Sequence, residues 1–381
     1  MQIFDLLKDR NLSFQFTALT GGQGSGNMKG SIGLYRLGFQ IKGYMQMRIV
    51  TIRDVAREAG VSISTVSRVL NHREEVDPLT REKVDEVIDR LNYVRNANAS
   101  NLKQRHTGFV AVILRGRRNL FLTDLAERIV ALGRQKHMQF LLEFIDDQAD
   151  EFLAARSLYL ERNLQGIIFL GANLHEREAE INSLDLPCVF ATVDASPIKS
   201  PKAASVAVDN FGAGKEAADI LIGMGHKNIA LVGYFGQPAD STGQRLYGVL
   251  ESLREHGIGF DERLFEDCDF TLEKARRCTA GLIDKNIPFS ALIAMSDTVA
   301  MGAMKALHDQ GIRVPEDVSV VGFDGIEQGR YCTPSLATIC QPAEEIARIT
   351  VNLIRDVTSG IPGRHILLRG QWQPGGSVIA L

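Results

Sequence analysis

From Phe109 onward the sequence carries a series of short, almost unbroken apolar runs: FVAVIL, FLLEFI, GIIFLG, PCVFATV, IALVGY, ALIAMS and VSVVGFD. Stretches with helical spacing separate them. Runs of this kind are parallel strands buried on both faces, because the crossover helices cover the sheet twice. They fall into two sets, divided near Ser205. The expected fold is α/β, with two doubly wound parallel-sheet subdomains. Ligands of such sheets bind beyond the carboxyl ends of the strands, so two such ends facing each other form a cleft.

With 381 residues the chain has room for two or three domains. Hydrophobic content of 45% and charged content of 23% are those of an ordinary globular protein. A net charge of −3 excludes a polycation, so any nucleic-acid surface must be local. Cys188, Cys268, Cys278, Cys332 and Cys340 form no CxxC pair, which argues for a reducing compartment and against a disulfide framework or zinc cluster. No apolar run approaches membrane-spanning length, and MQIFDLLKDRNLSFQF lacks the order of a secretory signal. The expectation is a cytoplasmic protein without a membrane partner. No GxSxG elbow, Walker motif or metal-ligand cluster is present, so neither an enzyme nor a cofactor or metal is expected.

Residues 1–46 include GGQGSGNMKGSIG, which has no period and lacks the Lys-Ser or Lys-Thr of a phosphate loop. They read as a disordered extension or as sequence upstream of the true start, since MRIVTIRDVA from Met47 has the character of a natural beginning.

The stretch TIRDVAREAGVSISTVSRVLN, residues 51–71, holds two apolar stripes at helical spacing. Ile52, Val55, Ala56 and Ala59 form the first, and Val66, Val69 and Leu70 the second. Thr51 and Asp54 suggest a capping box, Gly60 a left-handed stop, and Ser62 the next cap. Two helices joined so tightly cross steeply, as in a helix-turn-helix. A third helix follows, capped by Asp77 with Pro78 in its first turn and Val84, Val87, Ile88 and Leu91 inward. The second helix then exposes Ile63, Ser64, Ser67 and Arg68, a face suited to the DNA major groove.

TIRDVAREAGVSISTVSRVLN resembles the headpiece of the LacI/GalR family of bacterial repressors. NYVRNANASNLK resembles that family's hinge helix. GHKNIALVG, SALIAMSDTVAMGAMKALHDQGIRVPEDVSVVGFDG and ATICQP resemble its effector domain. The resemblance covers 47–381 and implies a periplasmic-binding-protein-like architecture. The expected division is an extension over 1–46, a headpiece over 47–94, a hinge over 95–106 and an effector-binding and dimerisation domain over 107–381. Within that domain the N-subdomain takes about 107–206 and 342–371, and the C-subdomain about 207–340 and 372–381. The implied function is a transcriptional regulator, most simply a repressor, binding operator DNA as a homodimer under a small-molecule effector, by resemblance a carbohydrate. Two alternatives are a global regulator answering to a phosphorylated protein partner and a solute-binding protein, though the latter would need an export signal and no headpiece. No leucine heptads follow PGGSVIAL, so no tetramerising tail is expected.

The resemblance assigns roles by position. Arg68 contacts a base or phosphate, and Ile63 and Ser64 discriminate bases, with a thymine methyl the natural partner of an isoleucine. Thr51, Ser62, Thr65 and Asn71 suit phosphate oxygens, although Thr51 and Ser62 are also helix caps. Asp77 and Glu75 are acidic beside that surface and weaken the case for backbone contacts there. In the hinge, Asn96, Ala99 and Leu102 share one helical side. The resemblance implies that Leu102 wedges into the minor groove, kinking the duplex, while Ala99 lets two hinge helices approach. Arg95 stands where the family has a proline.

In the cleft, the resemblance makes Asp324 an acceptor for ligand hydroxyls, Arg245 a fork of donors and Phe270 an aromatic platform. Ser296 and Asp297 stand where the family often has Asn-Asp, and Gln341 lies in a crossover strand. Asn119 and Phe121 match the first ligand loop, with Leu120 replacing a proline. Thr192 is carried over too, with Asp194 as the alternative. Arg115, with Arg117 and Arg118, either forms a solvated loop or suits an anionic ligand such as a sugar phosphate.

Overall fold

The computed structural model describes residues 51–70, 76–91, 108–116, 119–234 and 240–381. The extension over 1–46, the hinge over 95–106 with Asn96, Ala99 and Leu102, and Asn71, Glu75, Arg117 and Arg118 lie outside the described residues.

Three helices open the described chain: α1 (Ile52–Ala59), α2 (Ile63–Leu70) and α3 (Pro78–Arg90). Asp54 Oδ2 accepts from both the amide and the hydroxyl of Thr51, at 3.0 and 2.7 Å. Gly60, at φ +63°, ends α1 in the left-handed region. The Ser62 hydroxyl receives the Thr65 amide at 3.1 Å and so caps α2. Val55, Ala56, Ala59, Val66, Val69, Val76, Val84 and Val87 bury together as a small core, with Ile88 and Leu91 packed at its margin. Asp77 accepts from the Thr80 amide at 3.1 Å at the start of α3. Asp77→Ala is expected to lower headpiece stability by about 1 kcal/mol, readable as an earlier thermal transition by circular dichroism of the full chain.

The remaining chain alternates as read from its apolar runs. It runs β1 (Phe109–Arg115), α4 (Leu120–Gln135), β2 (Gln139–Ile145), α5 (Glu151–Glu161), β3 (Leu164–Leu170), α6 (Glu178–Ser183), β4 (Cys188–Ala191) and β5 (Ala203–Val208). Then come α7 (Asn210–Gly223), β6 (Ile229–Gly233), α8 (Ser241–Glu255), β7 (Phe265–Asp267), α9 (Leu272–Asp284), β8 (Ala291–Ala294) and α10 (Asp297–Asp309). The chain closes with β9 (Ser319–Asp324), α11 (Glu327–Arg330), β10 (Ala337–Cys340), α12 (Ala343–Thr358), β11 (His365–Leu368) and β12 (Gln371–Gln373).

Two six-stranded sheets result, ordered β11-β5-β4-β3-β1-β2 and β12-β10-β9-β8-β6-β7. Every pairing is parallel except β10 with β12. The chain passes between the sheets after β5, after β10 and after β11. The first passage follows Val208, where the wholly buried strand Ala203–Val208 ends. In each sheet the strand order reverses beside its first strand, β1 or β6. Such a reversal opens a crevice at the carboxyl edge.

Candidate functional site

The outward side of α2 is set by what its other side must bury. Val66 and Val69 are committed to the headpiece core, so Ile63, Ser64 and Arg68 turn to solvent. Ile63 is 46% exposed, although a large aliphatic gains nothing from water. The Ser62 hydroxyl lies 2.7 Å from that of Ser64 and 2.8 Å from that of Thr65. Those three hydroxyls form one cluster at the start of α2, the helix that also exposes Ile63 and Arg68. Thr51 has the expected capping role, its hydroxyl donating to Asp54.

The cleft lies where the carboxyl edges of the two sheets meet. A cavity of about 190 Å³ there is lined by Arg115, Asn119, Phe121, Thr192, Arg245, Phe270, Asp324 and Gln341. Those are eight of the ten positions singled out in the sequence. They stand at or shortly after the carboxyl end of a strand, or in the first two turns of the helix that follows. Asn119 caps α4 by accepting from the Leu122 amide at 3.0 Å, a task it combines with lining the cavity. Phe121 belongs to the central core as well as to the cavity wall. Phe270 pairs with Tyr234, their ring centroids 6.0 Å apart at 53°.

Arg245 is the most constrained cation. It sits one turn into α8 and is 5% exposed. Its Nε donates to Asn210 Oδ1 at 2.9 Å and its Nη1 to the Met295 carbonyl at 2.6 Å. Its Nη2 lies 3.5 Å from Asp324 Oδ1, and the guanidinium carbon 4.8 Å from the Phe323 ring centroid. Burial disfavours its charge, and the Asp324 and Asp297 carboxylates oppose that. Helices α7 and α8 touch because a Cβ at Gly214 would fall 2.0 Å from the Arg245 carbonyl oxygen, and one at Gly248 2.0 Å from that of Phe211. Asp324 ends β9 with φ +117°, and its Oδ1 receives Gln341 Nε2 at 2.8 Å. Across the cleft the Ser241 hydroxyl donates to the Thr192 carbonyl at 2.9 Å, joining the start of α8 to the end of β4. Asp194 instead holds its own loop, accepting from the Ser196 amide and hydroxyl at 2.9 Å each.

Ser296 and Asp297 do not line the cavity. Ser296 caps α10, its hydroxyl accepting from the Val299 amide at 3.2 Å. Asp297 is fully buried and receives the Gly325 and Ile326 amides at 2.7 and 2.8 Å and the Thr338 hydroxyl at 2.6 Å. The arginine cluster is likewise altered. Arg115 donates to the Asp147 carbonyl at 2.8 Å and pairs at 3.3 Å with Glu151, itself 3% exposed. Reading from the sequence missed other lining groups, among them Asp147, Asn173, Tyr234, Asp240, Ser241 and Asp269. Tyr234 ends the recognised run IALVGY and Asp147 stands two residues beyond FLLEFI, and that position at a strand end was the available signal.

Burial raises the Asp324 carboxyl above its ordinary value, against the pull of Arg245, Gln341 and the Asp297 amide. Burial also raises Asp297, and the neighbouring Asp324 charge adds to it, while Thr338 and the two turn amides oppose. The folded chain therefore holds on to protons that the unfolded chain has released above about pH 4. That contribution to stability is complete below the unfolded pKa and is lost as pH rises through the folded one. Urea melts over a pH series are expected to show stability declining from mild acid toward alkali on this account, and Asp297→Asn is expected to flatten the slope.

Among the described residues no group of three or more His, Cys, Asp or Glu side chains could hold a metal ion. No helix among them is long and apolar enough to cross a membrane.

A helix-turn-helix headpiece followed by a two-sheet domain with a cleft at the facing strand ends defines a DNA-binding regulatory protein. Comparison with known proteins agrees. The profile of bacterial regulatory proteins of the lacI family matches residues 51–96, and that of the periplasmic binding protein-like domain matches 218–378. The transcriptional regulator MalR of Clostridium butyricum is 31% identical over 331 residues, covering 84% of this chain and 96% of that protein. Catabolite control protein A of Priestia megaterium is 32% identical over 307 residues, covering 80% and 91%. Among solved structures, a complex of the regulator CelR with cellobiose has a TM-score of 0.65 at 27% identity, covering 86% of this chain and 99% of that one. The lac repressor dimer bound to operator and the anti-inducer ONPF has a TM-score of 0.65 at 25% identity, covering 87% and 100%. The chain belongs to the lacI family of bacterial transcriptional regulators.

Proposed function

We propose that the chain is a sequence-specific repressor that binds a pseudo-palindromic operator as a homodimer and responds to a small neutral carbohydrate in the cleft. The observation that carries this reading is the pairing, in one chain, of an exposed Ile63–Ser64–Arg68 face with a cavity built from hydroxyl acceptors and an aromatic pair. The lac repressor structure, a dimer on its operator, and the CelR complex with cellobiose support the two halves. Two headpieces related by a twofold read two half-sites.

On this reading 47–94 reads DNA, 95–106 is the hinge and 107–381 binds effector and pairs with a second copy. The protein works in the cytoplasm, on the nucleoid when operator-bound, and catalyses no reaction. Arg68, Ile63 and Ser64 contact bases; Ser62, Thr65 and Ser67 lie along phosphates. Asp324, Gln341, Asn119 and Thr192 meet ligand hydroxyls, Arg245 offers its remaining donors, and Phe270 with Phe121 covers the apolar faces of the sugar. Among the described residues Asp147, Asp240, Asp269 and Asp324 line the cavity against Arg115 and Arg245, which favours hydroxyl donors over an anion.

Selection of bound sequences from random duplexes tests the first half, and recovery of no symmetric site would refute it. Thermal shifts with D-glucose, D-galactose, D-ribose, maltose and cellobiose test the second half. At least one is expected to raise the melting temperature; sugar phosphates alone doing so would contradict a neutral ligand.

A further inference from the structure

Asp297 is buried, lies outside the lining of the cleft cavity, and takes its hydrogen bonds from two backbone amides and a hydroxyl. Its carboxylate spends itself on a single turn. Oδ2 receives the amides of Gly325 and Ile326, at 2.7 and 2.8 Å, and Oδ1 receives the Thr338 hydroxyl from β10 at 2.6 Å. That turn begins with Asp324 at φ +117° and Gly325 at φ +77°, two successive residues in the left-handed region. A non-glycine residue held there is strained and persists only where its surroundings fix it. The protein has also made room for the carboxylate. A Cβ on Gly322 would fall 2.3 Å from Asp297 Oδ1, so only glycine in β9 lets that oxygen seat. On the far side of the turn, a Cβ on Gly325 would fall 2.5 Å from Cys340 Sγ. The turn is thus clamped between Asp297 and β10, and what it aims is the Asp324 side chain, toward Gln341 and the cleft.

We infer that Asp297 is a positioning residue of the effector site: it holds the turn that presents Asp324 to the ligand, by the reach of its oxygen atoms and not by its charge. This rests on the reading of the cleft as the effector site. The backbone amides it receives are neutral donors, so an asparagine oxygen of the same reach takes the place of Oδ2, with its Nδ2 donating to the Thr338 hydroxyl instead of accepting from it. A longer carboxylate keeps the charge but moves the anchor point by about one bond, and the Gly322 seat leaves no space for it to fold back.

Asp297→Asn and Asp297→Glu therefore separate the two accounts. Isothermal titration with whichever of D-glucose, D-galactose, D-ribose, maltose or cellobiose binds the natural protein is expected to give Asp297→Asn an affinity within threefold. Asp297→Glu is expected to lose at least tenfold, with DNA affinity in the absence of sugar unchanged in both. A tenfold loss in Asp297→Asn, or full affinity in Asp297→Glu, overturns the inference. Should none of these sugars bind the natural protein, the effector reading of the cleft fails, and the positioning role is still read from crystal structures. The Asp324 φ and the Asp324–Gln341 contact are expected to persist in Asp297→Asn and to change in Asp297→Glu. An unmoved turn in Asp297→Glu overturns the inference. If Asp297→Glu does not fold, Asp297→Asn decides alone: a displaced turn there refutes positioning by reach, and a retained one upholds it.

Discussion

Replacing Arg245 with methionine is expected to lower folding stability by about 3–5 kcal/mol, the range for removing one partner of a buried ion pair. The guanidinium and the Asp324 carboxylate are both almost wholly enclosed, with 6% and 10% of their side chains exposed. Methionine fills much of the same volume, so the loss comes chiefly from charge. Asp324 would remain buried without its counter-ion, and Asp297, already without a cation among its contacts, would share that field. The Met295 carbonyl and Asn210 Oδ1 would lose their donors as well. The sugar-induced thermal shift should vanish with it. Urea denaturation checks the energy. The double variant Arg245→Met/Asp324→Leu is expected to regain a large part of it, because an apolar pair carries no uncompensated charge. A double variant as unstable as the single one would show that packing against Phe323, and not charge, is what Arg245 supplies.

Arg68→Ala is expected to do the opposite: leave the fold intact and weaken DNA binding. Arg68 is exposed on α2 and contributes nothing to the buried headpiece core, so stability should change by no more than about 0.5 kcal/mol. A base-contacting arginine is worth about 1–3 kcal/mol of binding. Two half-sites double that, a loss of roughly thirtyfold at the lower end. Anisotropy titration of the selected duplex measures it. Ile63→Ala should cost less and relax the preference at one position per half-site, since only an apolar contact with a thymine methyl is removed. Equal loss on all sequences for Ile63→Ala would reassign that side chain to headpiece packing.

The sheets were legible where strands are central and buried on both faces. FVAVIL, GIIFLG and VSVVGFD are continuous apolar runs for that reason. Strand β5, AASVAV, escaped notice because its side chains are small: α12 packs close against that part of the sheet. Strands β7, β10, β11 and β12 are three or four residues long, too short to show a period. At the cleft, position after a strand was a good guide to place and a poor guide to task. Ser296 and Asp297 follow β8 as Asp324 ends β9, yet α10 needs a cap and the 324–326 turn needs an anchor. A one-dimensional pattern carries no sign of which neighbour will claim a carboxylate. The converse failure is Ser241, which meets the Thr192 carbonyl from the other sheet, a contact that no local spacing announces.

The central claim is that ligand in the cleft governs the headpiece. The most direct measurement is anisotropy of the selected operator duplex with the full chain, natural and Asp324→Ala, with and without the sugar that shifts the natural protein's melting. The sugar is expected to change operator affinity of the natural protein at least fivefold. Asp324→Ala also strips one partner from the buried pair, so it is titrated at a temperature where circular dichroism shows it folded; there it should bind operator as before while its response to the same sugar concentration disappears, because a lost charged acceptor weakens the ligand by roughly 2–3 kcal/mol. An operator affinity indifferent to the sugar in the natural protein, or an undiminished response in Asp324→Ala, would contradict the account.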